Sequence, residues 1–218
     1  AKIAACQAVA FHSGLQAPLG RRATHTERTT MGRRLEEMSL EELWQLFPIF
    51  LVKHNDNWER WYEEERASLL ALLPDAAVRR LSHIGSTAVP GIWAKNIIDM
   101  LLELRDESSM KEIQGILQKS GWLCMSQEEH RVSMNKGYTP DGFAERVFHL
   151  HIRVTGDNDE LYFRDFLREH SDAAKDYETL KLSLWRVYEQ DRDGYTEAKG
   201  NFVRKYTKRA RDEYGARY

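Results

Sequence analysis

Apolar residues recur at helical spacing from Leu40 to Phe47, behind a Ser39-Leu-Glu-Glu42 capping box, and Pro48 ends the pattern. A second helical run carries Trp58, Trp61, Tyr62, Leu69, Leu70 and Leu73 over about 57–73 and stops at Pro74. The period then shortens. Val78 to Ile84 reads as a strand that enters the turn Gly85-Ser86-Thr87, and Pro90-Gly91 breaks structure again. Ile97 to Leu104 is apolar apart from Asp99 and Glu103 and suits a largely buried strand. Ser109-x-x-Glu112 predicts a second capping box, opening a helix that ends near Gly121, and Trp122 to Met125 predicts a strand. Asn135 to Gly142 reads as a hairpin turn or loop.

Arg146 to Val154 has the cleanest alternation in the chain. Phe148, Leu150, Ile152 and Val154 take one face, and His149, His151 and Arg153 take the other. Beyond Gly156 the pattern is helical: Leu161, Phe163, Phe166 and Leu167, then Tyr177, Leu180, Leu184 and Val187, then Phe202, Val203 and Tyr206. Strand and helix signals interleave before that point, so the fold class is α/β (α+β), a mixed sheet flanked by helices with a helical C-terminal part. Residues 31–218 form one domain, with a core over 38–156 and a helical appendage over 157–218.

Residues 1–30 stand apart, with Glu27 as their one acid against Lys2, Arg21, Arg22 and Arg28. They read as a flexible tail or as an extension upstream of a start at Met31. An acid-poor beginning also occurs in transit peptides, but no apolar segment or cleavage site accompanies it. With 42% hydrophobic and 30% charged residues, the 218-residue chain is ordinary for a globular protein. Its formal net charge of -2 gives no reason to expect nucleic acid or an anionic membrane as partner. No apolar run approaches the ~20 residues that span a bilayer. Cys6 and Cys124 are too few for a disulfide framework, and reduced thiols in a cytoplasmic protein are the simpler expectation.

Candidate chemistry concentrates between His83 and Asp99. Gly85 lets backbone approach a ligand closely, Ser86 and Thr87 offer hydroxyls, and successive backbone N–H groups there can cradle phosphate. A carboxylate facing that turn, Asp99, can hold a divalent ion against the phosphate; a tight turn with a partly buried Asp explains the same residues without a ligand. Lys95 lies within reach of a bound phosphate or is a solvated loop lysine. His149 and His151 share a strand face with Arg153. Together with Asp99 they can bind Zn2+ or another transition metal, they can contact phosphate, or they can be hydrogen-bonded in a polar crevice.

The phrase His83-Ile-Gly-Ser-Thr-Ala-Val-Pro-Gly91, followed by Ala94-Lys-Asn-Ile-Ile-Asp99, resembles the signature of the GrpB family. Phe163-Arg-Asp-Phe-Leu-Arg168 and Tyr195-Thr-Glu-Ala-Lys-Gly200 agree with it, and the resemblance covers about residues 38 to 210. It implies a polymerase-beta-like nucleotidyltransferase fold. In that superfamily the Gly-Ser turn binds nucleotide phosphates, an Asp-x-Asp or Asp-x-Glu pair on the next strand binds metal, and a third carboxylate comes from a neighbouring strand.

Gly85, Ser86 and Asp99 match the first parts, but Leu101 stands at the second carboxylate position. Glu103, about 6.6 Å further along the strand than 101, does not replace it. The resemblance therefore implies a nucleotide-binding protein with two outcomes. One is a nucleotidyltransferase in which Asp99 holds Mg2+ or Mn2+ while Lys95 or Arg153 offsets developing charge. The other is a binding module for a nucleotide or another phosphorylated small molecule that has lost transfer chemistry. Arg164, Tyr195 and Lys199 lie in the family-like phrases of the helical part, where they either close over the ligand or serve packing and ion pairing.

Overall fold

The computed structural model describes residues 35–218, so the expectations for the 1–30 segment, Met31 and Cys6 lie outside the described residues. Two layers of helix enclose a five-stranded mixed sheet. The strands are β2 (Val78–Ile84), β4 (Ile98–Leu104), β5 (Leu123–Gln127), β6 (Arg131–Thr139) and β7 (Gly142–Val154), in the order β2-β4-β7-β6-β5. β4 and β7 run parallel, and the remaining neighbours run antiparallel. A two-stranded ribbon pairs β1 (Leu51–Val52) with β3 (Ala94–Lys95).

The alternation in β4 and β7 divides the sheet into an apolar and a polar face. Ile98, Met100, Leu102 and Leu104 align with Phe148, Leu150, Ile152 and Val154. That face is covered by α2 (Asn57–Leu72) and α3 (Met110–Lys119), through Trp58, Trp61, Tyr62, Leu69, Ile113 and Leu117. Trp58 and Trp61 are therefore core residues. On the opposite face, Asp99 aligns with His149, Leu101 with His151 and Glu103 with Arg153. The C-terminal helices α4 (Asp159–Glu169), α5 (Ser171–Trp185) and α6 (Arg192–Tyr214) have their own aromatic core around Tyr162, Phe166, Tyr177 and Tyr206. That core takes in Val89 and Ile92 from the loop after the Gly-Ser turn.

The Ser39 capping box forms at the head of α1 (Leu40–Leu46), with reciprocal hydrogen bonds of 2.7 and 3.2 Å to Glu42. The second predicted box does not. Ser109 has helical backbone angles and makes no side-chain cap. A 3-10 turn over Glu107–Ser109 precedes α3, and the Ser108 hydroxyl donates to Asp106, which makes no cap to the turn's backbone. The predicted loop at 135–142 is largely strand, because Asn135 pairs with His149 and Lys136 with Phe148, leaving only Pro140-Asp141 outside β6 and β7. Gly137, at φ 89°, makes the irregularity in this ladder; a Cβ there would lie 2.3 Å from the Arg146 carbonyl oxygen.

Leu101 shares the Asp99 face, as alternation requires, but its side chain is fully buried against Ile84 and Leu161. It anchors α4 to the sheet where a second carboxylate would otherwise stand. Leu101→Ala should lower the free energy of unfolding by about 2–5 kcal/mol, as for other buried leucines. Urea denaturation with an unchanged m-value tests this, and a loss below ~0.5 kcal/mol would remove Leu101 from the anchoring role.

Candidate functional site

Gly85 ends β2 in the left-handed region, at φ 71°, and the chain turns at once into a 3-10 turn over Ser86–Ala88. A Cβ at Gly85 would sit 2.5 Å from Asp99 Oδ2. Only a glycine lets the turn lie directly on the Asp99 carboxylate. The buried His83 braces this turn from the other side. Its ring stacks on Tyr62, and its nitrogens lie 3.2 Å from Glu59 Oε2 and 3.0 Å from Thr87 Oγ1.

Asp99 faces the two histidines of β7. Its Oδ1 lies 3.1 Å from His149 Nδ1 and 3.8 Å from His151 Nε2. Behind His149, Nε2 meets the Tyr138 hydroxyl at 2.8 Å, and Arg192 Nη1 donates to that hydroxyl at 3.0 Å. Burial raises the Asp99 pKa, but the hydrogen bonds and charge of His149 and His151 outweigh it and hold the carboxyl well below its ordinary value. Burial lowers His149 to about 4 against the opposing pull of Asp99, so the imidazole is neutral at physiological pH.

Cations gather around this centre. Lys95 from β3, Lys181 from α5, and Arg192 and Lys199 from α6 act on one another electrostatically. Lys199 Nζ lies 4.2 Å from the centroid of the Tyr195 ring and Lys95 Nζ 6.0 Å from it. Burial lowers Lys95 to about 7, helped by Arg192, Lys199 and Lys181 and opposed by Asp99. Lys181 falls to about 7 through burial and Lys199, with Glu178 opposing, and donates to the Trp93 carbonyl. Lys199 falls to about 8, mainly through burial. The Ser86 hydroxyl meets the phenol of Tyr177, which burial pushes up to about 12.

Of the residues singled out in the sequence, Gly85, Ser86, Lys95, Asp99, His149, His151 and Lys199 come together around the Asp99 carboxylate and the Tyr195 ring, where α5 and α6 approach the polar face of the sheet. Thr87 is buried and donates to the Ile97 carbonyl at 3.2 Å. Arg153 lies four residues beyond His149, about 13 Å along the strand. Its guanidinium donates to the Ile152 carbonyl and faces Asp157 and Glu160. Arg164 binds the His83 carbonyl, Asp165 and the Tyr218 hydroxyl, tying α4 to β2.

Tyr138, Arg192, Lys181 and Tyr177 joined the site without being singled out for it. Lys181 carried a signal: it lies four residues after Tyr177 and three before Leu184, on the apolar stripe of α5, where a lysine is out of place.

Because the three lysines have folded-state pKa values below the ordinary 10.5, the unfolded chain binds more protons than the folded one between about pH 7 and 10.5. Their penalty is fully present below pH ~7 and relieved as pH rises, so stability gains with pH across that window. Melting temperatures of the protein and of Lys181→Met from pH 7 to 10 test this. The parent should gain on the variant as pH rises, and parallel curves would refute the depressed lysine.

A family model described as GrpB protein matches residues 48–209. The chain is 31% identical over 165 residues to the glutamate-rich protein GrpB of Alkalihalophilus pseudofirmus, covering 71% of this chain and 91% of that one. It is 28% identical over 171 residues to the UPF0157 protein YqkA of Bacillus subtilis, covering 76% of this chain and 49% of YqkA, so it spans about half of that relative's length. A crystal structure of the conserved protein GrpB from Enterococcus faecalis aligns with a TM-score of 0.66 at 29% identity, covering 76% of this chain and 99% of that one. Among the described residues no helix is long and apolar enough to cross a membrane. With the family model matching most of its length and the same fold present in a solved relative, the chain belongs to the GrpB family.

Proposed function

We propose that this protein binds a phosphorylated small molecule, a nucleotide as the first class to test, in the crevice between the Gly85-Ser86 turn and helices α5–α6. One observation carries the reading. Four cationic groups, Lys95, Lys181, Lys199 and Arg192, converge on a half-buried site whose acids are Asp99 and Glu178. Glu178 accepts from the Trp93 backbone N–H at 2.7 Å. Among the described residues, no carboxylate forms a salt bridge with any of the three lysines. Such a cluster repels itself and loses hydration, which is what depresses the lysines. A multiply charged anion removes both costs at once.

The roles follow from position. Ser86 presents its hydroxyl and the start of the 3-10 turn to a phosphate oxygen. Lys95 and Lys199 flank the Tyr195 ring and supply charge from opposite elements, and Arg192 adds a planar donor from the head of α6. Binding is better supported than transfer. In-line nucleotidyl transfer by two metal ions needs carboxylates that hold the ions about 3.5–4 Å apart, and Leu101 occupies the second of those positions in a packed cluster.

Calorimetric titration of the metal-free protein with ATP, GTP and pyrophosphate tests the proposal. At least one should bind, and Lys95→Ala or Lys199→Ala should weaken it about 10–100-fold, the loss of one charge-assisted hydrogen bond. If none binds at millimolar concentration, or if both variants bind like the parent, the reading is wrong.

A further inference from the structure

A nucleotidyltransferase-like site implies a pair of Mg2+ ions held by carboxylates, and the residues present do not fit that pair. Mg2+ takes oxygen ligands in octahedral geometry. Here Asp99 is the carboxylate at the turn, with two imidazoles beside it, while Glu103 further along the face is held by Arg80 and Asn158. We infer that Asp99, His149 and His151 form a site for a single divalent transition metal, Zn2+, Mn2+ or Fe2+, with open positions facing the crevice.

Three features of the geometry carry this. First, the donor atoms converge. Asp99 Oδ1 lies 3.1 Å from His149 Nδ1 and 3.8 Å from His151 Nε2, and the three donors lie within 4.8 Å of one another. Ligands at 2.0–2.1 Å from a tetrahedral ion stand about 3.3 Å apart. The set therefore closes on an ion with shifts that side-chain rotation supplies.

Second, the ligands sit on adjacent parallel strands in fixed register, Asp99 opposite His149 and Leu101 opposite His151. Strand-borne ligands are held more tightly than loop-borne ones.

Third, His149 has an orienting partner behind it. Its Nε2 meets Tyr138 at 2.8 Å, and Tyr138 is itself held by Arg192 at 3.0 Å. Without metal, Nδ1–H donates to Asp99 and Nε2 accepts from the Tyr138 hydroxyl. With metal on Nδ1, that proton moves through solvent to Nε2, which then donates to the Tyr138 oxygen. This is the arrangement that fixes the tautomer of metal-bound histidines. Two imidazoles and one carboxylate on one side leave the remaining positions for water or for an oxygen of a ligand.

The inference does not require the phosphorylated ligand, and its test leaves phosphate out. Untagged metal-free protein is titrated with Co2+ in a non-coordinating buffer, followed by visible absorption, and with Zn2+, Mn2+ and Mg2+ by calorimetry. One Co2+ per chain should bind with a ligand-field band, Zn2+ should displace it, and Mg2+ should not compete. Tyr138→Phe should weaken binding by about 10–100-fold with the thermal melt largely retained, as for other partners of metal-bound histidines. His151→Gln should weaken it more. Absence of saturable Co2+ and Zn2+ binding, Mg2+ binding of equal strength, or undiminished affinity in folded His151→Gln would each overturn the site. Because the parent protein alone gives the Co2+ result, a variant that fails to fold does not leave the question open.

Discussion

The close approach of the Gly85 backbone to the Asp99 carboxylate is the contact on which the rest of the crevice depends. With a Cβ at 85, the turn and the carboxylate would collide. Without one, the 3-10 turn over Ser86–Ala88 lies against the start of β4, and the loop after it reaches α4 and α5 through Val89 and Ile92. The same carboxylate is fixed on its other side by the parallel register of β4 and β7, which sets His149 beside it. Asp99 is thus positioned by two strands and a turn.

That placement makes use of the division of the sheet into unlike faces. The apolar face gives up its solvent exposure to α2 and α3 and stabilises the fold through ordinary burial. The polar face is covered by helices that bring charge as well as bulk. Lys181, Arg192 and Lys199 come from α5 and α6, so the helical part supplies most of the cations while the sheet supplies the acid and the imidazoles. At the far end of the same face, Glu103 is satisfied by Arg80 and Asn158, and Arg153 faces Asp157 and Glu160. Charged groups there face opposite charges within the protein, though the buried Arg153 Nε makes no hydrogen bond, whereas the lysines around Asp99 are paired with no carboxylate among the described residues. That contrast is the basis of the anion-binding proposal.

Much of this was legible in the sequence where a strict period applied. Alternation over β7 placed His149, His151 and Arg153 on one face, and the spacing of β4 placed Asp99 with Leu101. Strand parity says nothing about distance along the face, so Arg153 looked like a neighbour of the site and is structural. Thr87 failed for a similar reason, because a hydroxyl beside a turn points either way and here bonds the Ile97 carbonyl. Tyr138 was out of reach because the irregularity at Gly137 changes which face the following residues take, and the loop reading hid the strand itself. Arg192 required a long-range approach of α6 to the sheet, which no local pattern encodes, and Lys199 stood out only through the family-like phrase around it.

Burial and mutual repulsion hold the lysines around Asp99 short of full charge, and the proposed phosphorylated ligand would restore it. Calorimetry of ATP binding at pH 8, repeated in buffers of different ionisation enthalpy, measures the protons taken up with the ligand. Net uptake is expected, falling sharply in Lys95→Met, because ligand charge raises the pKa of each lysine it contacts. Binding with no proton exchange at that pH would contradict it.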